Sequence, residues 1–325
     1  MVSMKGHVMP IKISDALLSQ MGCIECASNL KSAENGGLLC VQCGRVYPQM
    51  EPGYFDFMVS PVDKAADEKE LASWDTHWHN VKDLDNYLVS NETEYFNEIV
   101  PAIFQGKIIV VVGCGTGKNI EKYLAERPKA IIMSDISHSI VQAVRNWRHA
   151  CDNYKDVEVL FLRSDINKMP FVGGRIPMIY VSCGLYNILE DQSRCIRESM
   201  RFSDHIFLLF NSPNNFFGKI YYALNPVRAI MKIVIPWNTV RSSFSRIISY
   251  IAYPFVIILI SFVSEEVRKG FSRKALEFLI NDWIFMSPKG IAYDASYYKA
   301  IERGLFDCTV LEKTISRIVY YGRIQ

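Results

Sequence analysis

From residue 101 onward, apolar runs alternate with amphipathic stretches. Five of the runs are apolar almost throughout, which is typical of strands that are buried on both faces of a sheet. Strands that alternate with helices predict an α/β fold with a doubly wound parallel sheet, and such sheets bind ligands at the carboxyl ends of their strands. The predicted strands cover residues 107–112, 130–135, 157–165, 177–183 and 205–212, and the predicted helices cover residues 118–127, 138–150 and 191–202.

The remaining regions differ in their pattern. Two strand-like segments near the end, DCTVLEK and SRIVYYGRIQ, are close enough in sequence to predict an antiparallel hairpin at the sheet edge, which gives a seven-stranded sheet. The first part of the chain is turn-rich and contains paired cysteines, and a polar stretch with a helical pattern follows it. We therefore predict a zinc-ribbon-like segment (1–58), a helical cap or linker (59–100) and a main domain (101–325) with an apolar helical insertion (216–270).

The stretch IIVVVGCGTGKNIE joins the first predicted strand to the first helix through three glycines at alternate positions. A P-loop requires GxxxxGK[ST], but its first glycine and its Ser or Thr are both absent here. A dinucleotide-binding loop requires GxGxxG, and the third glycine of that motif is absent. The pattern GxGxG remains, formed by Gly113, Gly115 and Gly117. Glycines at these positions allow a ligand to approach the backbone without colliding with side chains.

Two aspartates follow at equivalent places, since Asp135 ends the second strand and Asp165 ends the third. The glycine pattern with these acids in this order resembles class I S-adenosylmethionine (SAM) methyltransferases. The resemblance implies that the loop contacts the amino-acid end of SAM, that Asp135 accepts hydrogen bonds from the ribose hydroxyls, and that Asp165 meets the adenine amino group. It singles out no catalytic base. The implied cofactor-binding residues are Gly113, Cys114, Gly115, Gly117, Asp135, Ile136, Asp165, Ile166 and Ser182.

The cysteine pairs CIEC and CVQC are separated by thirteen residues. This spacing predicts a zinc site with four thiolate ligands, Cys23, Cys26, Cys40 and Cys43. The segment resembles the zinc ribbon of the Trm112-like family, including the CGRVYP that follows the second pair. Four sulfur ligands leave no open position on the ion, so we predict a structural zinc. A ribbon without metal and a redox pair are the alternatives.

The apolar insertion contains IISYIAYPFVIILISFV (247–263), a run without charge that barely reaches the length of a membrane-spanning helix. A single crossing would separate the final hairpin from the rest of its sheet. The basic residues Lys219, Arg228, Lys232, Arg241 and Arg246 near the apolar runs suit contact with anionic headgroups. We therefore expect residues 216–263 to contact a membrane peripherally or to cover a lipid-like substrate. A buried helical cap or a dimer surface is the alternative.

Composition adds two constraints. The chain has 36 basic and 34 acidic residues, and this balance argues against a nucleic-acid partner. Nine cysteines, an odd number, favour a reducing cytoplasm over a disulfide framework.

The expected function is SAM-dependent methyl transfer to a small-molecule, glycan or lipid-linked acceptor by a cytoplasmic protein, peripheral at the inner face of a membrane. A ribosomal or transfer RNA base methyltransferase and a non-catalytic SAM-fold scaffold are the alternatives, and the oligomeric state stays open.

Overall fold

The computed structural model describes residues 13–34, 36–51, 53–58, 104–117, 120–172, 176–183, 192–211, 223–234, 238–261, 273–280, 306–313 and 317–324. The predicted cap or linker at 59–100 lies outside these residues. The strands are β1 Leu30–Ser32, β2 Leu38–Cys40, β3 Val46–Tyr47, β4 Gln49–Met50, β5 Tyr54–Asp56, β6 Ile108–Val112, β7 Ala130–Asp135, β8 Glu158–Arg163, β9 Ile176–Cys183, β10 Ser203–Asn211, β11 Phe306–Lys313 and β12 Arg317–Ile324. The α-helices are α1 Asp15–Leu18, α2 Ile120–Ala125, α3 Ile140–Ala150, α4 Gln192–Phe202, α5 Asn225–Val234, α6 Asn238–Ser261 and α7 Arg273–Ile280.

The main sheet has nine strands in the order β11-β12-β10-β9-β6-β7-β8-β5-β4. The strands from β10 to β5 in this order pair in parallel, and the pairs at both ends are antiparallel. The predicted parallel α/β sheet is therefore confirmed. The sheet is larger than the seven strands predicted, because β5 and β4 from the N-terminal region extend it beyond β8. The pairing of β5 with β8 joins residues about a hundred positions apart, which a local sequence pattern does not indicate.

Alternate residues of the central strands point to opposite faces of the sheet, and both faces are buried. Helix α4 contributes to the core on one face, and α2 and α3 contribute to the core on the other. Burial on both faces explains why the strand sequences are apolar throughout. The α4 face includes Ile108, Val110, Val112, Ala130, Ile132, Leu160 and Leu162, and the other face includes Ile109, Val111, Ile131, Met133, Val159 and Phe161.

Residues 13–58, which we call the cysteine segment, share one hydrophobic core with the main sheet. Met21 forms an antiparallel bridge with Phe171 in the connection between β8 and β9. The described part of that connection contains only the short 3-10 turn Ile166–Lys168, so the cysteine segment packs where a crossover helix commonly covers a sheet. Its residues in the α4-face core are Leu17, Met21, Cys23, Leu30, Leu38, Cys40, Tyr47, Phe55 and Phe57.

Helices α5 and α6 lie within the predicted insertion, and α7 follows it. Helix α6 has 24 residues with Pro254 inside it, and it packs against α7. Within the described ranges, no helix has both the length and the apolar composition needed to cross a membrane.

Candidate cofactor site and cysteine cluster

The carboxyl ends of three central strands meet at the glycine loop. Val112 of β6 pairs with Ser134 of β7 on one side and with Ser182 of β9 on the other. The chain leaves β6 at Gly113, and the N–H groups of Gly113 and Cys114 donate to the carbonyl of Ser134 at 2.9 and 3.1 Å. The predicted residues Gly113, Cys114 and Ser182 therefore lie at the carboxyl ends of the strands, where this fold class binds ligands.

All three glycines of the loop have a left-handed backbone. The φ angle is 70° at Gly113, 54° at Gly115 and 67° at Gly117, a region that residues with a Cβ atom rarely adopt. Gly117 meets a second constraint, because a Cβ atom there would lie 2.8 Å from the Cβ atom of Ala143 in α3. The shape of the loop therefore depends on glycine, and at Gly117 it also depends on close packing with α3.

Asp135, at the end of β7, holds the glycine loop through its side chain. The residue is only 7% exposed, and its Oδ2 atom accepts a hydrogen bond of 2.7 Å from the Gly115 N–H. Its Oδ1 atom accepts from the N–H and the hydroxyl of Ser137 at 2.9 and 2.7 Å. Hydrogen bonds to a carboxylate are stronger than those between neutral groups. Asp135 therefore fixes the loop against the end of β7.

Two polar residues outside the predicted set support the same region. The side-chain amide of Asn146 in α3 donates to the carbonyl of Thr116 at 2.8 Å. The Arg163 Nε donates to the carbonyl of the half-buried Ile136 at 3.2 Å. Both contacts join positions far apart in sequence and belong to no short motif, so the sequence analysis missed Asn146 and Arg163.

Asp165 lies two residues past β8. It is at the same end of the sheet as Asp135, because β7 and β8 pair in parallel. Its Oδ1 atom accepts from the backbone and side-chain N–H groups of Asn167 at 2.8 and 3.1 Å. Asp165 therefore caps the short turn Ile166–Lys168. The side chain of Ile166 is buried in the α4-face core.

The four paired cysteines form one cluster. The Sγ atoms of Cys23, Cys26, Cys40 and Cys43 all lie within 4.8 Å of one another, and none of these cysteines is in a disulfide. The Sγ atoms of Cys23 and Cys43 are 3.6 Å apart, and those of Cys26 and Cys40 are 3.4 Å apart. Four sulfurs bound tetrahedrally to zinc at about 2.3 Å are about 3.8 Å from one another. The cluster is therefore compatible with a zinc ion held by four thiolates.

The environment of the sulfurs favours some thiolates over others. Burial acts to raise the pKa of Cys40, but hydrogen bonds from the backbone of Cys43 and Gln42 and from the Cys26 and Cys43 side chains together lower it to about 6. The backbone of Ser28 acts to lower the pKa of Cys26, but desolvation and the neighbouring sulfurs raise it to about 12. Four adjacent sulfurs cannot all carry negative charge by themselves. A divalent cation removes this conflict because it binds the thiolate form.

Tyr47 joins the cysteine cluster to the hydrophobic core. Its hydroxyl lies 3.1 Å from the Sγ of Cys23 and accepts from the Ile24 N–H at 3.2 Å. Its fully buried ring stacks on Phe57, with 4.4 Å between the ring centroids. Burial, and then the contact with Cys23, raises the pKa of Tyr47, so its hydroxyl stays protonated. The CGRVYP stretch contains this tyrosine, but its pattern does not indicate the contact with sulfur.

The cysteine segment also holds the loop that follows β8. Two backbone hydrogen bonds of 3.0 Å join residues 20–22 to residues 170–172. The Nζ atom of Lys168 lies 3.3 Å from a carboxylate oxygen of Glu25. These contacts lie on either side of Cys23 in the sequence. The cysteine cluster and the candidate cofactor site are therefore connected through one loop.

Comparison with known proteins agrees with the position of the candidate cofactor site. Residues 109–203 match the family described as a methyltransferase domain. The matched region contains the glycine loop, both aspartates and Ser182. No curated protein matches the chain in sequence.

The chain is also similar to several solved structures. One is magnesium protoporphyrin IX methyltransferase (ChlM) from Synechocystis PCC 6803 with bound SAM, at 10% identity and a TM-score of 0.45, covering 82% of this chain and 99% of that chain. Another is a SAM-dependent methyltransferase from Aquifex aeolicus, at 11% identity and a TM-score of 0.42, covering 75% of this chain and 94% of that chain. The pyocyanin biosynthetic protein PhzM has 12% identity and a TM-score of 0.42, covering 72% of this chain and 54% of that chain.

Proposed function

We propose that this chain, whose residues 109–203 match a methyltransferase domain, transfers a methyl group from S-adenosylmethionine to a small-molecule, glycan or lipid-linked acceptor close to a membrane surface. The observation that carries the proposal is the glycine loop. Its three glycines have left-handed conformations, and the buried carboxylate of Asp135 holds it at the carboxyl ends of the strands. Such a loop leaves backbone accessible to a ligand beside an acid that can accept hydroxyl donors.

The proposed cofactor contacts begin with the glycine loop and Asp135. Gly115 and Gly117 would lie beside the amino-acid end of SAM, and Asp135 would accept the ribose hydroxyls. Asp165 would meet the adenine amino group, with Ile166 beside the ring. Gly113, Cys114, Ile136 and Ser182 complete the proposed set.

Bound SAM supplies a methyl group that its sulfonium centre already activates. The chain must then align the acceptor with this methyl group, exclude water, and hold a base if the acceptor carries a proton. The stretch SCGLYNIL, which begins at the end of β9, resembles the segment that lines the methyl-donor pocket in SAM methyltransferases. Only its first two residues are among those that the structure describes. We therefore assign no general base.

The charge of the chain favours a small or lipid-linked acceptor over RNA. Proteins that bind a phosphate backbone concentrate positive charge, whereas this chain has 36 basic and 34 acidic residues. An RNA base methyltransferase remains the second candidate, because a cysteine ribbon joined to a methyltransferase domain also resembles those enzymes. The constrained glycine loop and its partner Asp135 argue against a scaffold that has lost its ligand.

We also propose that Cys23, Cys26, Cys40 and Cys43 bind one structural zinc ion. Four sulfur ligands close the tetrahedral coordination and leave no position for a substrate. The ion would stabilise the cysteine segment, which packs against the sheet through the buried Tyr47 and its neighbours.

Calorimetric titration with SAM tests the cofactor site. Gly117→Ala should weaken SAM binding by about tenfold or more, because the new Cβ would collide with Ala143 and distort the loop. Gly106→Ala is the matched control, since Gly106 has a similar φ of 69° but no atom within 4 Å of its would-be Cβ. Asp135→Asn keeps the size of the side chain and should also weaken binding. Unchanged affinity in both site variants would contradict the proposed cofactor site.

A transfer assay with methyl-labelled SAM and extracts of the source cells tests the acceptor class. The products are divided into organic, RNA, protein and small-molecule fractions. We expect the label in the organic or small-molecule fraction. Label confined to RNA would instead support the second candidate, and no label in any fraction, despite SAM binding, would support the scaffold.

A further inference from the structure

Helix α6 exposes a continuous apolar face. Between residues 244 and 258 its exposed apolar side chains follow the spacing of a helix, which places them on one side. We call this side the apolar face, and it extends over roughly 21 Å at the rise of an α-helix. It consists of Phe244, Ile247, Tyr250, Ile251, Pro254, Phe255 and Ile258.

The buried side of α6 carries small polar residues. Ser245 and Ser249 are fully buried, and Arg273 of α7 donates a hydrogen bond of 3.1 Å to the Ser249 hydroxyl. A surface helix of a water-soluble domain commonly buries its large apolar residues and exposes its polar ones. Helix α6 departs from this arrangement, because its fully buried residues are serines and its exposed side is apolar, which suits an apolar medium on that side. Helix α5 likewise exposes Val227, Ile230, Ile233 and Val234.

Helix α6 and the sequence before it from residue 205 have no acidic residue. Residues 205–264 contain neither Asp nor Glu, although the whole chain has 34 among 325 residues. Two guanidinium groups lie beside α6 and share one carboxylate: Arg246 and Arg273 contact Glu277 at 3.2 and 3.0 Å. The local charge is therefore positive next to the apolar face. The basic residues in this stretch are Lys219, Arg228, Lys232, Arg241 and Arg246.

We propose that the apolar face of α6 docks into the interfacial layer of an anionic lipid bilayer, with the helix parallel to the membrane plane. An exposed apolar helix face flanked by basic residues has the features of helices that bind in this layer, where the apolar side enters the acyl boundary and the cations contact headgroups. A second copy of the chain suits this face less well, because two acid-free basic stretches would then repel each other.

Flotation of the full chain with phosphatidylcholine vesicles, with and without phosphatidylserine, tests this docking. We expect binding to the vesicles that contain phosphatidylserine and weaker binding at high salt. The double variant Ile247→Gln/Ile251→Gln should bind at least about tenfold more weakly because it places polar groups on the apolar face. Val41→Gln is the matched control, since Val41 and Ile247 are both 56% exposed and Val41 lies in the cysteine segment. Circular dichroism should show unchanged thermal unfolding in both variants.

Three results would overturn the proposal. The first is absence of wild-type binding to either vesicle, and the second is equal binding by the wild type and the double variant. The third is a wild-type dimer in analytical ultracentrifugation that the double variant converts to a monomer, which would assign the face to self-association.

The docking proposal deepens the proposed function but can fail separately from it. Vesicle binding requires neither SAM nor an acceptor, so Gly117→Ala should still float with anionic vesicles. If that variant loses SAM binding but retains flotation, the two sites are distinct, as the proposal requires. If the wild type binds SAM but does not float, the docking surface alone is overturned.

Discussion

The cysteine segment and helix α6 place their large apolar side chains in opposite directions. In the cysteine segment, Met21, Tyr47 and Phe57 are buried in the core on the α4 face of the sheet. In α6, Ile247 and other large apolar side chains are exposed, whereas the serines on the opposite side are buried. Both regions lie outside the residues that match the methyltransferase family.

The difference indicates that the cysteine segment completes the fold, whereas α6 provides a surface for external contacts. The cysteine segment adds β5 to the parallel sheet and covers the connection after β8, so its loss would expose the sheet core. The exposed side of α6 supports no described part of the core, so changes there should affect external contacts and leave stability unchanged. Substitutions of buried residues in the cysteine segment should therefore lower stability strongly, whereas substitutions on the apolar face should change it little.

The largest effect is expected from Cys40→Ser. The substitution removes one thiolate, and structural zinc contributes on the order of 10 kcal/mol to the folding of small zinc domains. Because the cysteine segment shares its core with the sheet, we expect the whole domain to lose several kcal/mol of stability, a large part of its total. SAM affinity should also fall, since residues 20–22 hold the loop after β8. Zinc content, thermal unfolding and SAM titration measure these effects.

Cys151→Ser is the control for that experiment. Cys151 lies in the short turn after α3 and is not part of the cluster. The control should keep the zinc content, unfolding temperature and SAM affinity of the wild type. If Cys40→Ser lost zinc but unfolded at the wild-type temperature, the cysteine segment would be an independent appendage, and the contrast with α6 would be wrong.

An intermediate loss of stability is expected when the ion pair that joins the cysteine segment to β8 is broken. Arg163 and Asp56 lie 3.1 Å apart, and their side chains are only 11% and 16% exposed. Removing one partner leaves a largely buried charge, so Asp56→Asn should lower the free energy of unfolding by about 3 kcal/mol.

The pair of Arg127 and Asp156 provides the comparison, because its side chains are 52% and 64% exposed. Asp156→Asn should cost less than about 1 kcal/mol. Urea denaturation measures both free energies. Equal costs would show that the pair of Arg163 and Asp56 does not act as a buried link between the cysteine segment and β8.

Much of the parallel sheet could be predicted from sequence because its strands are buried on both faces. Double burial makes a strand largely apolar, so β6 and β7 stand out from the helices beside them. The glycine loop was recognisable for a similar reason, since left-handed backbone at alternate positions requires the residue type that the sequence shows. Features that depend on neighbouring residues can therefore be recognised from a short stretch of sequence.

The features that sequence reasoning missed depend on distant contacts. Strand β5 is a short segment whose parallel partner β8 lies about a hundred residues away. Tyr47 lies within the CGRVYP stretch, but its contact with Cys23 arises only from the fold. The sequence predicted an apolar insertion, but it did not indicate which side of α6 faces outward. That side is set by the packing of α6 against α7.

The smallest effects on stability are expected in α6. There a substitution of a buried serine should cost more than a substitution of an exposed isoleucine. Ser249→Ala removes a hydroxyl that donates to the Arg246 carbonyl at 2.7 Å and accepts from Arg273 at 3.1 Å, so it should cost about 1 kcal/mol. Ile251→Gln changes a side chain that is 67% exposed and should alter stability by less than about 0.5 kcal/mol. Urea denaturation of both variants measures the order. If Ile251→Gln were the more costly, the apolar face would be packed against protein in solution, and α6 would resemble the cysteine segment in burying its apolar side chains.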